Sequence, residues 1–108
     1  MSTNASINVF CADGKYRSIY LHWDGYPSHV LKTLRSKYNS QELAEEILAL
    51  GDCSSLADTL DESEFYFRDR NEDWSDVAPN TEKTLKACLR NNEQQYNYLF
   101  DGYTWESI

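Results

Sequence analysis

Two Asp-Gly dipeptides, Asp13-Gly14 and Asp101-Gly102, constrain this chain more than any other feature. Each separates two runs in which apolar residues alternate, and that arrangement signals a hairpin. In the first, Ile7, Val9 and Cys11 alternate with Asn8 and Phe10, and Tyr16 to Trp23 is rich in β-formers. A two-residue loop at 13–14 would oppose Val9 to Ser18. A three-residue loop, Asp13 to Lys15, opposes Val9 to Ile19 and Ile7 to Leu21. It aligns the apolar faces and is the expected register, with Gly14 or Lys15 in the left-handed position. In the second, a two-residue loop at 101–102 pairs Phe100 with Tyr103 and Tyr98 with Trp105, two aromatic pairs on one face.

Between the hairpins the period changes. Pro27 suits a first helical turn, and Val30, Leu31, Leu34 and Tyr38 fall on one side of a helix ending near Tyr38. Asn39 or Ser40 caps a second helix with Leu43, Ile47, Leu48 and Leu50 as its stripe, and Gly51 stops it. Asp52 to Ser63 is polar and turn-rich, anchored by Leu56 and Leu60. Glu64 to Arg68 reads as a strand through Phe65 and Phe67, and Asp69 to Pro79 as a polar loop. Asn80 caps a third helix, Thr81 to about Asn91, with Leu85, Cys88 and Leu89 inward. The sum is one α+β domain spanning residues 1–108, a mainly antiparallel sheet of about five strands with three helices packed on one face.

Charge narrows the function. Asp and Glu number 18 against 10 Lys and Arg, a net charge of −8. That balance argues against direct binding of nucleic acid or of an anionic membrane. No apolar run is long enough to span a bilayer, Met1 to Ser6 carries no signal pattern, and three irregularly spaced cysteines fit a reducing compartment. The charge is also segregated. Residues 42–76 hold twelve carboxylates opposed only by Arg68 and Arg70. Leu, Ile and Phe recur through that segment, so it folds with its carboxylates on a solvated face, either an ordinary soluble surface or one that meets a basic partner.

Candidate chemistry is sparse. His22, Asp24 and His29 could ligate a metal, but no close Cys or His pair completes a site, and no metal or cofactor is expected. His22 and Asp24 either satisfy a tight turn while Trp23, Tyr26 and Pro27 pack, or contribute to a ligand site. Arg68 and Arg70 either form ion pairs with neighbouring carboxylates or clamp an anion bidentately. Cys11 and Cys88 lie on apolar faces, and phosphate loops, dinucleotide fingerprints and nucleophile elbows are absent. No catalytic residue is expected, and the chain reads as a non-enzyme.

His22-Trp23-Asp24-Gly25-Tyr26-Pro27, Ala49-Leu50-Gly51-Asp52-Cys53-Ser54-Ser55-Leu56 and Arg68-Asp69-Arg70 with Glu72 resemble, in order and spacing, blocks of a family of small acidic bacteriophage and prophage proteins. Tyr96 to Phe100 with Trp105 resembles that family's closing hairpin. Leu31 and Asn71 stand where the resemblance leads one to expect glycine. The resemblance implies a phage accessory protein acting in the host bacterial cytoplasm, where such proteins often inhibit host defence, anti-CRISPR proteins among them. The leading expectation is therefore an inhibitor of a host immune protein. Glu42, Glu45, Glu46, Asp61, Glu62, Asp73 and Asp76 would meet that protein's basic surface, with Trp74 or Tyr66 as apolar anchor. A second reading is a sponge for a small nucleotide signal, held by His22, Trp23, Asp24, Tyr26, Arg68 and Arg70. A third is a protein that pairs with itself through an exposed edge strand or aromatic patch.

Overall fold

A computed structural model describes residues 3–108. Within them the chain runs β1 (Ala5–Phe10), β2 (Tyr16–Leu21), α1 (Val30–Lys37), α2 (Gln41–Ala49), β3 (Cys53–Ser55), β4 (Glu64–Phe65), α3 (Tyr66–Arg70), α4 (Trp74–Val77), β5 (Asn80–Glu82), α5 (Leu85–Asn92), β6 (Tyr96–Phe100) and β7 (Trp105–Ser107). The class is α+β, with one mixed sheet of seven strands, ordered β4-β3-β2-β1-β6-β7, and β5 beside β2. The hairpin pairs are antiparallel, but β1–β6 and β2–β3 are parallel. The expected count of five strands and three helices is thus too low.

Both terminal hairpins form, each two residues out of the expected register. In the first, Ile7 opposes Ile19 and Val9 opposes Arg17. The loop is Ala12 to Gly14, closed by Cys11 N–H donating to Lys15 O at 2.8 Å, with Gly14 at φ +83°. Asp13 causes the shift, because its carboxylate accepts from Lys15 N–H and pairs with the Arg17 guanidinium at 2.8 Å. In the second, Phe100 opposes Trp105 and Tyr98 opposes Ser107, so four residues turn. Asp101 accepts the amides of both Tyr103 and Thr104, which lengthens the turn. The expected partners Tyr98 and Trp105 are therefore not opposed. A two-residue slide leaves every side chain on its original face, so the faces survive both corrections.

One face of the sheet is apolar. Ile7, Val9, Ile19, Leu21, Cys53, Phe65, Tyr98, Phe100 and Trp105 are buried there under α1 and α2. Trp105 also donates its indole N–H to Tyr38 O at the end of α1. The opposite face carries buried Ser6, Asn8 and Ser18, and α5 covers it. Asn92 of α5 donates to Ser18 Oγ at 2.8 Å and to Ile19 O at 2.9 Å. Asn8 donates to Ser6 Oγ and Tyr98 O, and Ser6 Oγ donates to Asn97 Oδ1. Helices thus cover both faces, not the single face expected. The third helix starts late because residues 80–82 pair with β2 as β5, leaving Thr84 to cap α5 by accepting Ala87 N–H.

The outer edge of β2 is shared. β5 bonds residues 16–18 and β3 meets Leu21. Between them Tyr20 N–H donates to Asp52 Oδ1 at 2.9 Å. Asp52 N–H donates to Val77 O, and Asp52 O accepts from Tyr66 N–H. The segment expected to be an irregular 52–63 connection therefore begins as a strand, because its first residues complete the edge of β2.

Burial raises the Asp52 carboxyl from 3.8 to about 6, opposed by the Tyr20 bond and helped by Glu72. The folded state then holds a proton that the unfolded state releases between about pH 4 and 6. Asp52 contributes most below pH 4, and that contribution is lost as pH rises through 6. Asp52→Asn keeps the acceptor without the charge. It is expected to raise stability at pH 7 by about 1–2 kcal/mol, discounted for partial exposure, and by less at pH 4. Urea unfolding of both proteins across pH 4–7.5 checks this, and a difference that does not change with pH refutes it.

Candidate functional site

The acidic segment builds its surface around α2. Ser40 caps that helix by accepting Leu43 N–H. Ala44, Ile47 and Leu48 face the sheet at i, i+3, i+4 spacing. Leu43, expected in the stripe, is displaced by Ala44 and is exposed, and Leu50 is only partly buried. The helix and its C-cap thus leave two apolar side chains, seven residues apart, wholly or partly outside the core.

The wall beside α2 comes from the segment expected to be strand and loop. Phe65 N–H donates to the Asp69 carboxylate at 2.8 Å, a bond back to the start of the turn that favours helix over strand. α3 results, and Phe67 turns outward to 46% exposure instead of inward. Asp73 then caps α4 by accepting Ser75 N–H. The Trp74 ring meets Phe67 edge-on with centroids 5.1 Å apart and stays 39% exposed. Ala49, Leu50, Phe67, Arg68 and Trp74 enclose an apolar cleft of about 410 Å³. A second cleft of about 350 Å³ adjoins it along α2, floored by Leu43, Tyr38 and Leu60 and bordered by Glu46, Asp58 and Asp61. Arg68 of the first cleft donates to Leu60 O of the second at 2.9 Å, which links the two.

Not every acidic candidate lies here. Glu46 and Asp61 line the second cleft, while Asp73 and Asp76 flank Trp74 on and before α4. Glu42 is exposed in the first turn of α2. Glu45 turns away, its Oε2 accepting Ala12 N–H and the Gln41 amide, so it braces the first hairpin. Glu62 accepts from the Thr59 hydroxyl within its own turn. Tyr66 is half-buried, with the Arg70 guanidinium 5.0 Å from its ring centroid, so the exposed aromatic beside Trp74 is Phe67. The surplus of Leu43 and Leu50 was the sequence signal for this surface.

The second residue set is arranged differently. Its blocks converge at β3, where His22 N–H donates to Cys53 O and Trp23 N–H to Ser54 O. The His22 ring sits between Tyr20, whose hydroxyl lies 2.7 Å from Nδ1, and the Trp23 ring. Arg70 bonds Ser54 Oγ and pairs with Glu64 at 2.6 Å. Arg68 bonds Asp69 twice and the carbonyls of Leu60 and Ser63, which holds the Asp69 carboxyl below its ordinary range. Both guanidiniums are thus tied into the fold. Asp24, at φ +58°, and Tyr26 lie on the turn beyond, and Tyr98 Oη anchors that turn by donating to Gly25 O. None of five principal clefts among the described residues is lined by His22, Trp23, Asp24, Tyr26 or Arg70.

Asn71 takes the left-handed conformation at the end of α3, φ +57°, so asparagine fills the role of the expected glycine. Leu31 packs against the core. Burial pushes all three free thiols above their ordinary range, which removes thiolate character. Among the described residues no three His, Cys, Asp or Glu side chains are grouped to hold a metal. No helix there is long and apolar enough to cross a membrane.

Gly51 is the pivot of the site. At φ +80°, a Cβ would stand 2.5 Å from Val77 O and 2.9 Å from the Trp74 ring. Gly51→Ala is expected to destabilise by about 2–4 kcal/mol and to release the Trp74 ring. Thermal unfolding and near-ultraviolet circular dichroism read the two effects, and a native spectrum with unchanged Tm contradicts them. Comparisons with protein-family models, curated proteins and solved structures found no match.

Proposed function

We propose that this is a non-enzymatic binding protein that engages a basic surface of another protein through the acidic side of α2 and the α3–α4 turn. The observation that carries this reading is the exposed Phe67–Trp74 pair, set in an apolar cleft, with Asp76 on the same helix as Trp74 and Glu46 and Asp61 lining the second cleft. A desolvated aromatic anchor with a charged rim is the usual composition of an energetic hot spot. The carboxylates steer encounter and select a basic partner, while the aromatics supply the anchoring free energy. The resemblance to phage-encoded proteins supports a host defence protein of CRISPR–Cas type, in the bacterial cytoplasm, as the partner. The acidic side would then cover a surface that otherwise holds nucleic acid. Pairing through sheet edges is less supported, because Asp69 takes the Phe65 amide on β4 and Arg35 Nε donates to Trp105 O on β7.

The test places a photo-crosslinking amino acid at position 67 in a bacterium carrying an active CRISPR–Cas system and identifies the crosslinked protein. That protein, purified, is expected to bind the native chain more weakly as salt rises. Trp74→Ala, and separately the joint reversal Glu46→Lys, Asp61→Lys and Asp76→Lys, are each expected to weaken binding at least about tenfold, or about 1.4 kcal/mol. Unchanged affinity in the folded charge-reversal variant overturns the reading.

A further inference from the structure

We infer that the two clefts along α2 form one seat, and that its occupant is a basic amphipathic helix of the partner protein. This rests on the reading above and specifies the shape of what is bound. Leu43 of α2 and Leu50 at its C-cap, one lining each cleft, are seven residues apart. At a rise of 1.5 Å per residue these two leucines stand about 10.5 Å apart along the helix axis. An occupant must present two side chains on one face at that spacing. A strand offers same-face positions about 6.6 or 13 Å apart, and neither fits. A helix offers positions i and i+7 at about 10.5 Å, rotated by only about 20°.

The clefts differ in chemistry, and the difference orders the occupant's side chains. The second cleft has an apolar floor of Leu43 and Leu60 with Glu46, Asp58 and Asp61 around it. Lys37 also lines it, leaving an excess of two carboxylates. An arginine or lysine fits there, its methylene stem on the leucines and its charge among the acids. The first cleft offers Leu50, Phe67 and Trp74, with the charge of its Arg68 paired to Asp69, and takes an aromatic or branched apolar side chain. The basic residue and the apolar residue therefore sit seven apart, and the remaining contact is helix against helix along α2.

The experiment titrates isotope-labelled full-length protein with synthetic Ala–Gln helices, followed by NMR. One probe carries a single Arg and a single Trp seven residues apart, made in both orders. Its isomer places them five apart, about 140° around the helix. One order of the seven-spaced probe is expected to bind at least about fivefold more tightly than the isomer and to shift the Leu43, Leu50 and Trp74 signals. Leu43→Asn and Asp61→Asn, at an exposed helix position and on a loop, are each expected to weaken it at least about threefold with Tm unchanged. Equal affinity of the two spacings, or shifts confined to another surface, overturns the helical seat. If the crosslinked partner nevertheless loses binding on charge reversal, the acidic-surface reading stands and only the helix inference falls. If that partner is indifferent to charge reversal, both fall.

Discussion

The edge of β2 depends on a side chain where a strand would ordinarily serve. β5 and β3 bond its two ends without meeting, and the Tyr20 amide between them has Asp52 as its acceptor. A buried amide without a partner costs more than a typical hydrogen bond contributes, so the gap needs an acceptor. The same residue's main chain reaches Val77 in α4 and Tyr66 in α3, and Gly51 beside it lies under the Trp74 ring. The apolar cleft is thus built outward from one carboxylate. Its raised pKa is the cost of filling the gap with an ionisable group.

What the sequence disclosed about the sheet was parity. Alternation of Ile7, Val9, Ile19 and Leu21, and of Tyr98, Phe100 and Trp105, assigned each side chain to its face correctly. It did not set loop length, because Asp13 and Asp101 accept local amides and draw extra residues into the turn. Both errors were therefore slides by an even number of residues. The parallel neighbours of β1 and β2 had no local signal, since each pairing joins segments far apart in sequence. The second covered face was hidden for another reason. It is held by serine and asparagine, which hydropathy patterns treat as surface.

The proposed binding surface was legible as charge and only partly as shape. Segregation of carboxylates in residues 42–76 was visible, and Trp74 stood out as an anchor. Phe67 was misplaced because Phe65 and Phe67 alternate like a strand, whereas the Asp69 carboxylate bonded to Phe65 N–H starts a helix. Glu45 was misplaced because a bond to Ala12, 33 residues away, turns it aside. For Arg68 and Arg70 the ion-pair alternative describes what is seen, with Asp69 and Glu64 as partners.

The parallel pairing of β1 with β6 also bears on how the molecule is made. Ala5 lies beside Tyr96 and Val9 beside Phe100, so the central strand waits for a neighbour about ninety residues later in the chain. The first hairpin has only short-range closure to overcome, but the sheet's middle cannot assemble until residues 96–100 have left the ribosome. Loop-closure entropy of that size places the completed fold among slower-forming topologies. During synthesis the unpaired edge of β1 is open to other chains, and arrival of the last hairpin closes it.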